Sequence, residues 1–226
     1  MLRDFLHLFF PRYCLACRGG LERGSEVLCV RCAMDLPRTQ YHQDVDNPVA
    51  KRFWGLLPIS HAFGYLHFVK GGKVQALLHQ LKYEGKPEVG HTLGRWYGHE
   101  LREYGLAEEF DLIVPIPLHI SKLRKRGYNQ SDALAEGLAE GLQIPWDAKA
   151  LQRTQATRTQ TRMSRAERYA NMAEVFTVAR PEAIQGQRIL LVDDVITTGA
   201  TLQACGEALI AAQARTLSVA ALAVAE

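Results

Sequence analysis

The residues best able to do chemistry lie in the run Ile189–Leu202, ILLVDDVITTGATL. The apolar stretch Ile189–Val192 reads as a buried strand, and it delivers Asp193 and Asp194 to the carboxyl edge of a sheet, where α/β proteins bind ligands. Thr197-Thr198-Gly199-Ala200-Thr201 then opens a helix. Unpaired N–H groups at a helix start, with the favourable end of its dipole, suit a phosphate, and threonine hydroxyls add donors. Gly199 lets the backbone approach closely. Adjacent carboxylates can accept hydrogen bonds from the 2′- and 3′-hydroxyls of a ribose. A bare TTG would be a capped turn beside two solvated acids. The whole string is more specific and is shaped for a ribose 5-phosphate. It is not a Walker A loop, because no GK[ST] follows the glycine.

The second chemical cluster is Cys14, Cys17, Cys29 and Cys32, two C-x2-C pairs separated by 11 residues. Each pair places two thiolates on one turn, and two turns complete a tetrahedral four-sulfur site, so the spacing predicts structural zinc. Two disulfides or a redox pair are the alternatives. An intracellular setting argues against disulfides, and the doubling argues against thioredoxin-like chemistry. Cys205 shares a helical face with Leu202, Leu209 and Ala212 and reads as a small core residue. The eight histidines show no H-E-x-x-H spacing, and no G-x-S-x-G occurs.

Elements must hold these groups in place. The 226 residues suit one medium domain with an appendage, and 47% apolar with 23% charged residues is ordinary for a globular chain. The formal charge of +3 is too small to mark a nucleic-acid binder by itself. No apolar run reaches the roughly 18–20 residues of a membrane span, and MLRDFLHLFFP makes a poor signal peptide, so the chain reads as cytoplasmic with no membrane partner. Strands are expected over 61–68, 111–117 (DLIVPIP, with prolines at its end), 173–178, 189–192 and 217–224. Helices are expected at 74–83, at 87–104 with Gly105 as its breaker, from a cap at Asn129 or Ser131 through Leu134, Leu138 and Leu142 to an end by Pro145, and at 202–212. Alternation of this kind predicts an α/β domain with a mostly parallel sheet. Residues 38–52 are polar, lack periodicity and read as part of a linker. The organisation is therefore a four-cysteine zinc-binding unit over 1–37, a linker over 38–55 and an α/β domain over 56–226.

The doubled C-x2-C, LKYEGK at 81–86, VPIPL at 114–118, RKRGYNQS at 124–131, the Arg/Thr/Gln-rich 153–168, Asn171 and the acid–acid–TTGAT string occur in that order. In that order they resemble the ComF/GntX family, competence-associated proteins similar to amidophosphoribosyltransferases, with the phosphoribosyl-pyrophosphate (PRPP) motif of type I phosphoribosyltransferases. The resemblance implies a type I phosphoribosyltransferase fold with a small N-terminal zinc-ribbon-like domain built on the four cysteines. It implies that Asp193 and Asp194, the candidate catalytic residues, hold the ribose hydroxyls directly or through Mg²⁺. Val195, Thr197, Thr198, Gly199, Ala200 and Thr201 would bind the 5-phosphate side of PRPP. Pro117-Leu118-His119 would sit where the pyrophosphate loop lies; the plain alternative is a proline-stiffened strand end. Lys82 is either a pyrophosphate contact or a solvated lysine.

Lys122, Arg124, Lys125 and Arg126 are either a solvated face or a diphosphate or nucleic-acid contact. Residues 149–168 carry six Lys/Arg against one Glu. By resemblance they are a flap that closes over PRPP, with Arg158, Arg162 and Arg165 as its cations; a nucleic-acid contact and a plain loop are the rivals. The implied function is binding of PRPP or a phosphoribosyl nucleotide with Mg²⁺, in DNA uptake or DNA utilisation. It is either a pentosyl transfer with unspecified acceptor or a non-catalytic module. Single-stranded DNA and a cytoplasmic ATP-driven DNA translocase are the further partners the resemblance implies. A zinc-ribbon DNA regulator is weaker, since residues 1–37 hold five Lys/Arg and four Asp/Glu.

Overall fold

Apolar residues on both sides of Ile189–Val192 require cover on both faces, and the structure provides it. A computed structural model describes residues 12–155 and 174–225. The central sheet has four parallel strands in the order β1 (Ile59–Phe68), β6 (Thr216–Ala225), β5 (Arg188–Ile196) and β2 (Leu112–Pro115). Alternate residues of β5 point to opposite faces: Leu190 and Val192 enter one core, Ile189 and Leu191 the other. The first core is closed by α3 (Lys73–Tyr83), α4 (Glu88–Glu103) and α6 (Gln130–Leu142). The second is closed by α7 (Ala200–Ala211), α2 (Pro48–Lys51) and an antiparallel ribbon of β3 (Leu151–Gln155) and β4 (Glu174–Val178). A mostly parallel α/β sheet with helices on both faces is what the alternating pattern predicts.

Two local readings change, and one basic run without an assigned element gains one. The acid-bearing strand does not stop at Val192 but runs to Ile196, because β6 offers ladder partners beyond it, Asp193 opposite Ala221 and Val195 opposite Ala223. The strand expected at 173–178 lies outside the main sheet, paired with a polar strand that shows no apolar alternation. The basic run near 122–126 is a short helix, α5 (Ile120–Arg126), with no buried residue.

Residues 38–55 are seated on the sheet rather than trailing. Thr39 N–H donates to Tyr65 O at 3.0 Å and His67 N–H to Pro37 O at 2.8 Å along the edge of β1. Asn47 is buried and caps α2, accepting from Val49 and Ala50 N–H while its amide donates to Ala62 O at 2.7 Å. The cysteine segment, with α1 (Val30–Met34), also joins the main body. Val27, Leu28 and Leu36 share a continuous core with Val74, Leu77 and Leu81 of α3, and Lys73 Nζ lies 2.9 Å from Asp35 Oδ2.

Helices α4 and α6 lie side by side, backbone against backbone. A Cβ on Gly137 would be 2.1 Å from His91 O, and one on Gly94 2.5 Å from Leu134 O. Glycines four apart on both helices permit this approach, and it fixes where the N-terminus of α6 meets the sheet.

Candidate functional site

β5 carries Asp193 and Asp194 toward its carboxyl end, and three other elements converge there. The Lys82 ammonium, at the end of α3, lies 2.9 Å from Asp194 Oδ1. Ser131, in the first turn of α6, donates from Oγ to Asp193 Oδ1 at 3.2 Å, and Asp194 N–H donates to the same oxygen at 2.8 Å. Asp194 Oδ2 is buried and has no hydrogen-bond partner among the described residues. Burial, and secondly the charge of Asp194, push the Asp193 carboxyl up to about 7. Near neutrality the pair therefore resists carrying two full charges. It gains from any cation or donor that enters.

The loop after β5 leads into α7, whose N-cap position is Gly199 and so carries no side chain. Gly199 has φ +85°, and its backbone lies under Phe53, so that a Cβ there would be 3.0 Å from Phe53 Cζ. Both facts demand glycine. Thr197, Thr198, Ala200 and Thr201 are exposed. Thr198 Oγ1 accepts from Ala200 N–H at 3.4 Å. Val195 stays in the strand and packs against the core on the α3 face.

β2 lies beside β5, Pro115 opposite Val192, so Pro117-Leu118-His119 leaves the sheet at the same edge as the acids. Ile116 N–H donates to Val192 O at 2.9 Å. His119 Nδ1 accepts from Ser121 N–H at 3.2 Å and starts α5. Behind the turn, the Asn129 amide donates to Ile116 O at 3.0 Å and to Asp132 Oδ1 at 2.6 Å. Burial pushes the Asp132 carboxyl up to about 6. Tyr128 OH donates to Leu81 O, which ties the same segment to α3.

The structure thus brings together Asp193, Asp194, Lys82, the 197–201 loop and the 117–119 turn. The expected flap cations Arg158, Arg162 and Arg165, and Asn171, lie outside the described residues. Sequence reasoning read Ser131 only as a helix cap, and it missed Arg52, whose guanidinium meets the carbonyls at the end of β5. No local periodicity marks an arginine in a polar stretch as part of a site 144 residues away.

The four cysteine sulfurs form a separate centre, all within 4.8 Å of one another, with Cys14, Cys29 and Cys32 buried. Burial alone would raise the Cys14 thiol, but N–H groups of Cys17, Cys29 and Ala16 aimed at it bring it down to about 7. Cys32 is pushed up to about 12 by burial and by the other three sulfurs. Four converging sulfurs with backbone donors around them can hold a metal ion such as zinc, whose charge would offset that repulsion.

Comparison with known proteins agrees with this geometry. Residues 119–225 match the phosphoribosyl transferase domain family. The chain is 36% identical over 147 residues to the DNA utilization protein YhgH of Escherichia coli O157:H7, an alignment spanning 63% of each chain, less than two thirds of that relative's length. It is 28% identical to competence protein F of Haemophilus influenzae over 86% of this chain and 89% of that one. Among solved structures, the allosteric regulatory enzyme of purine biosynthesis matches with a TM-score of 0.42 and 21% identity, over 62% of this chain and 29% of that one. Among the described residues no helix is long and apolar enough to cross a membrane. The acid pair, the loop opening α7 and these relatives agree: residues 119–225 form a phosphoribosyl transferase-type domain, in a chain similar to competence and DNA utilization proteins.

Proposed function

We propose that the chain binds PRPP, or a nucleoside 5′-phosphate, with Mg²⁺ at the carboxyl ends of β5 and β2, and that it serves DNA uptake or utilisation, as its relatives' names suggest. The observation that carries the reading is Asp194. Its Oδ1 is paired with Lys82, and its Oδ2 is buried without a partner among the described residues, on the strand that leads into α7. A buried, unpaired carboxylate oxygen is costly unless a donor completes it. A ribose hydroxyl or a cation-bound water would do so.

In this reading the 197–201 loop and the first turn of α7 hold the 5-phosphate. Asp193 and Asp194 accept from the ribose hydroxyls, and Lys82 faces the diphosphate. Ser131 keeps Asp193 oriented, so that its free oxygen stays aimed at the ligand. Asp193 and Asp194 are also the groups that would hold Mg²⁺, which supplies charge neutralisation at a departing pyrophosphate. The chain's part in a phosphoribosyl transfer is to fix the ribose and stabilise positive charge developing on it with two carboxylates. The four cysteines hold a structural zinc and make residues 12–37 of the 1–37 unit a wall of the α3 core; 38–55 connects that wall to the ligand domain over 56–226.

Calorimetric titration with PRPP, with and without Mg²⁺, tests the reading. Wild type should bind, and Asp194→Asn and Thr198→Val should each weaken binding about tenfold or more, as expected when a charge-assisted hydrogen bond of roughly 1.5–3 kcal/mol is lost. Equal affinities in all three proteins would sink it. Pyrophosphate release with a panel of nitrogenous acceptors then tests transfer.

A further inference from the structure

The geometry points to Arg52 as the positioning residue of the phosphate loop, an assignment that rests on the phosphate reading above. Arg52 follows α2, which the buried Asn47 fastens to β1 through its amide bond to Ala62 O at 2.7 Å. Its guanidinium then reaches across to the far ends of two strands. Nη1 donates to Thr197 O and, at 3.4 Å, to Ile196 O, while Nη2 donates to Ala225 O at 2.8 Å. One planar, multi-donor head therefore gathers three carbonyls where β5 and β6 leave the sheet, a task its fork geometry suits.

The consequence for the loop follows from peptide planarity. The peptide bonds of this loop are trans, and in a trans peptide the C=O and the next N–H point in opposite directions. Carbonyls 196 and 197 turned toward Arg52 therefore turn the N–H groups of Thr197 and Thr198 away from it, to the open side of the loop. These are two of the donors a phosphate needs. The neighbouring Phe53 seals the same loop at Gly199, where its ring leaves no room for a Cβ. Arg52 and Phe53 act as a clamp from outside the loop, and neither touches the ligand side.

Arg52→Gln and Arg52→Lys test this, with ribose 5-phosphate and PRPP as calorimetric probes and hydrogen exchange of the loop amides as a ligand-free readout. Arg52→Gln should bind both probes at least tenfold more weakly, with Arg52→Lys between it and wild type, since lysine keeps the charge but lacks the fork. Exchange at 197–201 should rise while α4 and α6 stay protected. A merely structural arginine would instead lower the melting temperature and raise exchange throughout, with affinity intact in the folded protein, and that result overturns the assignment. Unchanged binding in Arg52→Gln where Thr198→Val binds weakly also overturns it. If wild type binds neither probe but loop exchange rises selectively in Arg52→Gln, the ligand reading falls and the positioning role stands. Should the glutamine variant fail to fold, the lysine variant carries the same two readouts.

Discussion

At the scale of single residues, charge is placed where a second group restrains it. Asp111 and Arg188 show this away from the candidate site. The Asp111 carboxylate accepts from Arg188 Nη2 at 2.7 Å, Nε at 3.0 Å and the Arg188 N–H at 2.9 Å, pinning the amino ends of β2 and β5 in register. These donors pull the Asp111 carboxyl down to about 2. The folded value lies below the unfolded one of about 3.9, so the pair's stabilisation is present above that value and is lost as pH falls through the folded one. Melting temperatures of wild type and Asp111→Asn should differ most at neutral pH and converge between about pH 4 and pH 2. A difference that stays constant down to about pH 3 would show that the carboxylate's charge contributes nothing. The helix boundaries around these residues were legible in sequence, because Gly105 and Asn129 are local signals; Gly105 does adopt φ +92° and Asn129 does cap α6. The fork of Arg188 was not, since its partner is 77 residues away.

At the scale of elements, the contact between α4 and α6 decides where Ser131 and Asn129 stand. Gly90, Gly94 and Gly98 face Ala133, Leu134, Leu138 and Gly141 along matched turns. An alanine at Gly137 gains up to about 1 kcal/mol of helix propensity, but its Cβ would meet His91 O at 2.1 Å and Arg95 N at 2.8 Å. Backbone cannot yield as a side chain can, and overpacking costs typically about 1–3 kcal/mol or more. Gly137→Ala should therefore destabilise by about 2 kcal/mol in denaturant titrations. Gly20→Ala, with nothing within 4 Å of the added carbon, should be near neutral. If Gly137→Ala proved as stable as wild type, the helices would not be in backbone contact. The pattern of apolar residues predicts α6 as a helix from Leu134, Leu138 and Leu142, but that pattern does not reveal that its glycines form the seam.

Across the whole molecule, the cysteine centre and the acid pair meet through α3. One face of that helix, Val74, Leu77 and Leu81, is buried in a core that also contains Cys14, Cys29 and Cys32, and its last turn carries Lys82 to Asp194. Structural zinc supplies folding energy, and its ligands must be deprotonated to bind it. With Cys32 pushed up to about 12 in the absence of a cation, losing the metal leaves thiols that repel one another as they ionise. Removing metal with a strong chelator, or replacing Cys32 by Ser, should expose residues 12–36 to protease and weaken PRPP binding several-fold through loss of the Lys82 position. Intact PRPP affinity after complete metal removal would show that the two centres are independent.

The sequence by itself determined where the groups able to do chemistry lie. The doubled C-x2-C, the acid pair and the TTGAT loop are contiguous motifs whose residue types carry their roles within a few positions. Alternating apolar periods likewise prescribed a parallel α/β sheet. Tertiary structure alone decided which distant groups complete each motif: Lys82 on Asp194, Ser131 on Asp193, Arg52 on the Thr197 carbonyl. It also decided that residues 38–55 fold onto the sheet edge and the end of β5. The reason is physical: local signals arise from backbone preferences and the burial of neighbours, whereas an arginine satisfied by carbonyls 144 and 173 residues away looks, in sequence, like any solvated cation.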